Sequence, residues 1–260
     1  MTYENILFDV TDGVATITLN RDDTRNALSW PLAREMVDAL DNLGDARVLV
    51  ITGRGKGFCS GGNLAASLQP GSDRGDMLYF GLTEVLNPMI LKIDSLDIPV
   101  ISAVNGAAAG AGVALALSAD LVIAAASSFF YVAFAQVGLV PDAGTSWFLP
   151  RLIGKSRATE LMMLAERLPA QQAQDWGLIY QCVADEALAE ATMTLARRLA
   201  NGPTVSYALM RRNLRAALVS DLPTSLQLEA EGQRAAGKTL DCEAAVAAFR
   251  EKRAPVFQGE

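Results

Sequence analysis

The stretch Ile98–Ala119, IPVISAVNGAAAGAGVALALSA, contains no charged residue and has an aspartate on either side. It is long and apolar enough for a membrane span, but it divides into two segments with different patterns, so we reject a span. Val100–Val104 is short and rich in β-branched residues, which predicts a buried strand. Asn105-Gly106 predicts a turn, and Ala107–Ser118 predicts a buried helix of small residues. The stretch therefore predicts a strand, a tight turn and a helix in direct succession.

Two glycines near the start of this helix, Gly110 and Gly112, indicate that the backbone comes close to another group. Glycine costs about 1 kcal/mol relative to alanine inside a helix, so its presence needs a reason. One hypothesis is an oxyanion site, because the first N–H groups of a helix have no intrahelical partner. The alternative is a core helix that packs tightly through small residues, and the stretch alone favours that alternative.

Composition excludes several classes of function. The chain has 260 residues and a net charge of −7, which argues against sequence-independent binding of nucleic acid. An anionic ligand must then be held by a local basic group or by backbone N–H groups. The absence of histidine excludes Ser-His and Cys-His nucleophiles and histidine-ligated zinc. The three cysteines have no CxxC spacing, so neither a disulfide framework nor a metal site is predicted.

The N-terminal sequence and the cysteine content also bear on the compartment. The first ten residues, MTYENILFDV, lack the basic and then apolar pattern of a signal peptide. An odd number of unpaired cysteines is typical of a reducing compartment. We therefore expect a cytoplasmic protein with no membrane partner.

Alternating strand and helix patterns predict an α/β fold. Ile6–Val10 and Val14–Leu19 predict two strands joined at a hairpin turn, and Ser29 is a predicted cap of the next helix. Gly61-Gly62 follows an extended segment and predicts exposed backbone N–H groups. Further strands are predicted at Leu121–Ala124 and Phe129–Val132, and helices at 156–167 and 170–176. From Glu186 onward almost every segment has helical spacing, so we predict a core at residues 1–185 and a helical region at 186–260.

Gly232–Thr239, GQRAAGKT, matches the phosphate-binding P-loop pattern literally. A P-loop must follow a buried strand, and the residues before Gly232 are polar with helical spacing. We therefore predict a connection between helices here.

Several segments, taken in order, resemble the crotonase (enoyl-CoA hydratase/isomerase) superfamily. Their most similar branch is the one that isomerises ring-epoxidised phenylacetyl-CoA. The resemblance covers nearly the whole chain, and the ordered set is far more specific than any single motif. The segments are RNAL at 25–28, FCSGGNL at 58–64, VNGAAAGAG at 104–112, GLVPDAG at 138–144, ERLPAQQAQDWGL at 166–178 and KRAPVF at 252–257.

The resemblance implies a core of repeated ββα units wound as a spiral, with C-terminal helices that form homotrimers or dimers of trimers. It implies an acyl-CoA thioester as substrate, with coenzyme A as part of the substrate and no further cofactor. The oxyanion donors would be the N–H groups of Gly62 and Ala111, each worth about 3–4 kcal/mol to the transition state. The remaining contacts to substrate or coenzyme A would come from Arg25, Ala27, Ser60, Gly61, Asn63, Leu64, Gly110 and Phe257, with Arg25 at a phosphate.

Departures from the family pattern decide which reaction we expect. The two glutamates of the hydratases correspond to Ala114 and Phe134, so efficient hydration is not expected. Asp142 falls where the isomerase branch places its single carboxylate, and one carboxylate suffices to move a double bond. The alternative is that Asp142 only shapes a Pro-Asp turn. Asn63 replaces the usual aspartate, which leaves the acyl group open.

Three functions are therefore compared. The first is an enoyl-CoA isomerase that acts on a 3-enoyl-CoA or a ring-derived acyl-CoA, with Asp142 as proton shuttle. The second is a hydratase or thioester hydrolase of the same family. The third is an acyl-CoA-binding protein without catalytic activity.

Overall fold

The computed structural model describes residues 2–62 and 73–260. A sheet of six strands forms its centre, in the order β1-β2-β3-β5-β7-β10. The first two strands are antiparallel and every other pair in this sheet is parallel. The strands are β1 (Ile6–Thr11), β2 (Val14–Leu19), β3 (Val48–Gly53), β5 (Val100–Val104), β7 (Leu121–Ala125) and β10 (Gln181–Val183).

A second, smaller sheet has four short strands in the order β4-β6-β8-β9. Its first three strands are parallel, and the last is antiparallel to its neighbour. The strands are β4 (Gly57–Cys59), β6 (Ala107–Ala109), β8 (Phe129–Tyr131) and β9 (Arg167–Pro169).

The described part of the chain contains ten α-helices. They are α1 (Trp30–Asp41), α2 (Arg74–Gly81), α3 (Asn87–Ser95), α4 (Ala111–Leu117), α5 (Thr145–Leu164), α6 (Ala170–Asp175), α7 (Leu188–Ala200), α8 (Thr204–Ala217), α9 (Leu222–Ala236) and α10 (Leu240–Arg250). A π-helical turn at Leu82–Leu86 joins α2 to α3. None of the helices at residues 2–62 and 73–260 combines the length and apolarity needed to cross a membrane.

The order of elements repeats three times. A strand of the large sheet is followed by a strand of the small sheet and then by helix: β3-β4-α2, β5-β6-α4 and β7-β8-α5. Each unit adds one parallel strand to both sheets, so the chain winds around a shared core. This arrangement confirms the predicted ββα core, and the helices from α7 onward confirm the predicted helical C-terminal region.

Local sequence signals placed several elements correctly. Asp12 and Gly13 have φ of 53° and 73°, the left-handed pair that a tight hairpin requires. The Ser29 side chain accepts the N–H of Leu32 and begins α1, as the capping pattern predicts. Val100–Val104 is a fully buried strand with the predicted bounds.

The predicted helix at Ala107–Ser118 was wrong at its start. Residues 107–109 form β6, Gly110 has φ of 51°, and the helix covers only Ala111–Leu117. The alanine-rich segment becomes a strand because β4 and β8 lie on either side of it and accept or donate its backbone hydrogen bonds. Propensity for helix yields here to pairing with partners distant in sequence.

Other differences lie between residues 145 and 183. α5 is interrupted at Gly154, whose φ of 76° and ψ of 164° are not helical, and its second segment follows close to the predicted start at Ser156. This segment ends at Leu164 and not at the predicted Arg167, which lies in β9. β9 and β10 were not predicted, since strands of three residues carry too few positions for a periodic pattern.

The C-terminal helices pack in two ways. α7 covers one face of the large sheet, where Leu188, Ala196 and Ala200 join the strand residues in a hydrophobic cluster. α8 and α9 pack against each other, and Gly232 lies within α9, which supports the rejection of a P-loop. The division at residues 185 and 186 stays a prediction.

Arg211 of α8 ties the C-terminal helices to the core. Its buried guanidinium donates to Asp120 Oδ1 at 2.8 Å, to the Ile93 carbonyl at 3.3 Å and to the Leu96 carbonyl. Asp120 also accepts the N–H of Val100 at 2.7 Å. One side chain therefore joins α8, the end of α3 and the start of two strands.

Replacing Arg211 by alanine should lower the free energy of unfolding by about 3 kcal/mol, because it leaves Asp120 and two carbonyls without their donor. Chemical denaturation followed by circular dichroism measures this change. The matched control is Arg212→Ala, which removes the exposed neighbouring arginine. Equal denaturation midpoints for the two variants would show that the Arg211 contacts do not stabilise the fold.

Candidate active site

The site begins with the loop at residues 24–28, which one buried asparagine holds in place. The Asn26 amide donates to the carbonyls of Arg54 at 3.0 Å and Gly57 at 2.9 Å, and its Oδ1 accepts the N–H of Arg21 at 2.9 Å. Arg25 and Asn26 both have positive φ, a conformation that asparagine tolerates better than most residues. From the sequence, Asn26 was predicted only as part of the RNAL segment. The tolerance of asparagine for positive φ is a local sign of an unusual turn, but it does not show which carbonyls the side chain binds.

This loop fixes the backbone that follows β4. The Ser60 N–H donates to the Arg25 carbonyl at 3.0 Å, and the Leu28 N–H donates to the Gly61 carbonyl at 2.7 Å. In a trans peptide the C=O and the following N–H point in opposite directions. Since the Gly61 carbonyl faces Leu28, the N–H of Gly62 points away from Leu28.

The second donor lies at the start of α4. Gly110 has φ of 51° and ψ of −127°, and its N–H donates to the Tyr131 carbonyl at 2.9 Å. The chain therefore turns sharply and begins a helix at Ala111, whose N–H has no intrahelical acceptor. No backbone hydrogen bond between the described residues uses the N–H of Ala111 or of Gly62.

Gly61 lets these two segments approach each other. A Cβ atom at Gly61 would lie 2.8 Å from the Ala109 carbonyl oxygen and 3.3 Å from the Ala111 nitrogen. Gly61 also has φ of 93°, which disfavours any other residue. The missing side chain brings the N–H groups of Gly62 and Ala111 to the same wall of one cavity.

That cavity has a volume of about 400 Å³. Its lining contains the predicted site residues Ser60, Gly61, Gly62, Gly110, Ala111 and Asp142. The structure thus brings together the two proposed amide donors and the proposed carboxylate. The apolar part of the lining was not predicted from the sequence. Its described members are Leu28, Trp30, Pro31, Met77, Leu78, Leu82, Leu86, Ala133, Phe134, Val137 and Leu139.

Among the described residues that line the cavity, Asp142 is the one that carries a charge. Its Oδ1 is buried without a hydrogen-bond partner in the described part of the chain. Burial disfavours the ionised form and raises the pKa of the carboxyl from 3.8 to about 6. A carboxyl with this pKa is mainly ionised at pH 7 and is still basic enough to accept a proton from carbon.

The turn around Asp142 has an unusual backbone. Ala143 and Gly144 have φ of 49° and 92°, and the Thr145 N–H donates to the Asp142 carbonyl at 2.8 Å. This turn directs the chain into α5 and leaves the Asp142 side chain in the cavity. Asp142 therefore shapes a turn through its backbone while its side chain lies in the cavity lining.

The two positions that carry glutamate in hydratases are apolar. Phe134 is buried and contributes to the cavity lining, while Ala114 lies buried within α4. Neither can activate water. In the described residues Asp142 is the one acid or base that the cavity presents.

The structure places the predicted coenzyme A contacts in different surroundings. Arg25 is exposed, Ala27 is buried, and the Ser60 hydroxyl donates to the Thr24 carbonyl at 2.9 Å. Asn63 and Leu64 lie outside the described residues. Phe257 is half-buried and its carbonyl accepts from Arg47, so within one chain it is not part of the cavity lining.

Comparisons with known proteins agree with this geometry. Residues 9–260 match the model of the enoyl-CoA hydratase/isomerase family. The chain is 41% identical to 1,2-epoxyphenylacetyl-CoA isomerase of Escherichia coli over 99% of both chains. It is 42% identical, over the full length of both chains, to a protein of Rhodobacter capsulatus named as a probable enoyl-CoA hydratase.

Solved structures of the same family share this fold. An enoyl-CoA hydratase/isomerase from Cupriavidus metallidurans superimposes with a TM-score of 0.91 at 33% identity, covering 100% of this chain and 98% of the other. These findings confirm the resemblance stated from the sequence, including its similarity to the isomerase of ring-epoxidised phenylacetyl-CoA. The chain belongs to the enoyl-CoA hydratase/isomerase family, the crotonase superfamily.

Proposed function

We propose that this protein is an acyl-CoA isomerase that shifts a double bond by moving one proton. The observation that carries the proposal is the carboxylate of Asp142, the one charged group of the described cavity lining, which also contains Gly62 and Ala111. The carboxylate provides a base, and the amides provide a place for negative charge on oxygen.

In the proposed reaction the thioester carbonyl of a 3-enoyl-CoA accepts hydrogen bonds from Gly62 and Ala111. Asp142 removes a proton from C2, and the electron pair moves into the carbonyl, so the oxygen becomes a dienolate oxyanion. The protonated Asp142 then returns the proton to C4, and the double bond lies between C2 and C3. Atoms and charge balance, and the reaction needs no water, metal or redox cofactor.

Two features favour isomerisation over hydration. Hydration requires a group that activates water, and Ala114 and Phe134 cannot do so. Two relatives with isomerase names also support the proposal: the Escherichia coli protein, and trans-2-decenoyl-[acyl-carrier-protein] isomerase of Streptococcus mutans at 34% identity. The Rhodobacter capsulatus relative is the reason to measure hydration directly.

The net charge of −7 does not conflict with an anionic coenzyme A thioester. Backbone N–H groups would bind the thioester oxygen, and the exposed Arg25 would contact a phosphate. The other proposed contacts are Ala27, Ser60, Gly61, Asn63, Leu64 and Gly110, with Phe257 reaching the coenzyme A of a neighbouring copy.

The Asp142→Asn variant should lose exchange of the C2 proton and double-bond migration together. The amide keeps the size of the side chain but accepts no proton, so both rates should fall by at least about 100-fold. We would measure both in heavy water with 3-hexenoyl-CoA and with ring-derived thioesters.

Thioester binding by Asp142→Asn, measured by calorimetry, is the control and should stay close to that of the wild type. Unchanged isomerisation by the variant would exclude the proton shuttle. Rapid hydration of crotonyl-CoA by the wild type would favour the hydratase alternative. Tight binding without exchange of any thioester would favour a binding protein.

The same substitution should make the folded protein more stable at neutral pH. Asp142 has a higher pKa folded than unfolded, so the folded state holds a proton between pH 3.8 and about 6 that the unfolded state has lost. Stability is therefore lost as the pH rises through that window. Asparagine has no charge to desolvate and avoids this loss.

We expect Asp142→Asn to raise the free energy of unfolding by about 2 kcal/mol at pH 8 and by roughly half of that at pH 5. Urea denaturation at both pH values measures the difference. Asp45→Asn, which removes an exposed carboxylate, corrects for the change in net charge. A gain that is the same at both pH values would contradict the assigned rise in pKa.

We further propose that copies of the chain form a homotrimer or a dimer of trimers through the C-terminal helices. Large apolar side chains on these helices are exposed in the single chain, among them Leu214, Leu218, Leu226 and Phe249. Light scattering after size exclusion should give a mass of three or six times 27.6 kDa. A mass equal to one chain would contradict this proposal.

A further inference from the structure

One wall of the cavity is formed by two elements that face each other. The first residues of α1 contribute Trp30 and Pro31, and the last residue of α2 with the π turn contributes Gly81 and Leu82. Gly81 is buried, whereas the two residues before it, Tyr79 and Phe80, are exposed at 63% and 55%. α2 therefore turns the face that carries its glycine toward the cavity.

Gly81 is in direct contact with the indole of Trp30. A Cβ atom at Gly81 would lie 3.0 Å from Nε1 and 3.4 Å from Cε2 and Cζ2 of that ring. The backbone does not require glycine here, since Gly81 has φ of −60° and ψ of −35°. Glycine costs about 1 kcal/mol relative to alanine in a helix, so the reason for it at this position is the space that the indole occupies.

The charge of the lining limits what can lie against this wall. Among the described residues that line the cavity there is no lysine or arginine, and Asp142 is the one charged group. A carboxylate in the acyl group would be desolvated without a partner and repelled by Asp142. An apolar group would gain from contact with Trp30, Leu82 and Leu86.

We infer that the Trp30–Gly81 contact is the wall that selects the acyl group by size, and that the acyl group is uncharged. The inference rests on the proposed function for the identity of the ligand as an acyl-CoA thioester. Trp30 touches the acyl group, and Gly81 is a positioning residue that acts through the indole. A side chain at residue 81 would need space that the indole occupies, and because both residues line the cavity we expect the change to reduce the space for the ligand.

The test is binding of saturated thioesters, which need no proton transfer. Calorimetry would give dissociation constants for butyryl-, octanoyl-, phenylacetyl- and succinyl-CoA with the wild type and with Gly81→Ala. We expect Gly81→Ala to weaken the binding of octanoyl- or phenylacetyl-CoA, relative to that of butyryl-CoA, by roughly tenfold. This is the usual effect of one methyl group in an apolar pocket. Succinyl-CoA should bind the wild type at least roughly tenfold more weakly than butyryl-CoA.

Two further variants separate selection from a general structural effect. Gly75→Ala adds a methyl group to the same helix at an exposed position, where its contact is the Asp73 carboxylate at 3.2 Å and not the indole. It should leave the ratios of dissociation constants unchanged. Trp30→Phe removes Nε1 and shortens the ring, so the double variant Trp30→Phe/Gly81→Ala should recover the wild-type ratio to within about threefold. Trp30→Phe alone should strengthen the binding of the larger thioesters relative to butyryl-CoA. This variant tests the wall even if Gly81→Ala does not fold.

The outcomes are distinct from those for the proposed reaction. A wild type that isomerises nothing but shows these binding ratios would contradict the isomerase and support the wall. Three results would overturn the inference even if isomerisation is normal. The first is a ratio of dissociation constants in Gly81→Ala within twofold of the wild-type ratio. The others are no rescue by Trp30→Phe, and equal binding of succinyl- and butyryl-CoA. If Gly81→Ala weakens the binding of phenylacetyl-CoA alone, the natural acyl group has a ring that lies against Trp30. If it weakens the binding of octanoyl-CoA alone, the natural acyl group is a chain.

Discussion

The arrangement of the site depends on one backbone contact, the approach of Gly61 to the turn between β6 and α4. With a Cβ atom at Gly61 lying 2.8 Å from the Ala109 carbonyl, no larger residue fits without moving one of the two segments. The strands β4 and β6 lie side by side in the small sheet, so both segments leave it at the same edge. This contact places the N–H groups of Gly62 and Ala111 on one cavity wall, and Asn26 fixes the loop that orients the first of them.

Asp142 shows how a cavity of this kind balances stability against chemistry. Its carboxyl is placed among apolar side chains by a turn whose next two residues, Ala143 and Gly144, both have positive φ. Burial without a hydrogen-bond partner in the described residues raises its pKa to about 6 and destabilises the ionised form. The folded protein tolerates that cost because more than fifty other side chains are buried in its core. A surface aspartate would cost nothing but would be a poor base.

The residues around Asp142 restrict the chemistry more than Asp142 itself does. Phe134 and Ala114 provide no proton donor or acceptor, so in the proposed reaction the one carboxylate of the described cavity lining both removes and returns the proton. In our inference, the indole of Trp30 lies 3.0 Å from where a Cβ atom at Gly81 would be and so limits the size of the acyl group. Different parts of one lining would then limit the reaction and the acyl group. The described lining has no second carboxylate, which limits the reaction, and the contact between α1 and α2 limits the acyl group.

Sequence alone determined the parts of this protein that follow from local patterns. The hairpin at Asp12-Gly13, the Ser29 cap and the buried strand Val100–Val104 were predictable because turn chemistry, capping and apolar runs act within a few residues. That Gly62, Ala111 and Asp142 line one cavity was expected because their motifs occur together in the order typical of the family, and their catalytic roles stay a proposal. Tertiary structure alone decided that residues 107–109 form a strand, that Asn26 holds the loop, and that Trp30 meets Gly81. Each of these depends on a partner far away in the chain, and no local pattern encodes where that partner will lie.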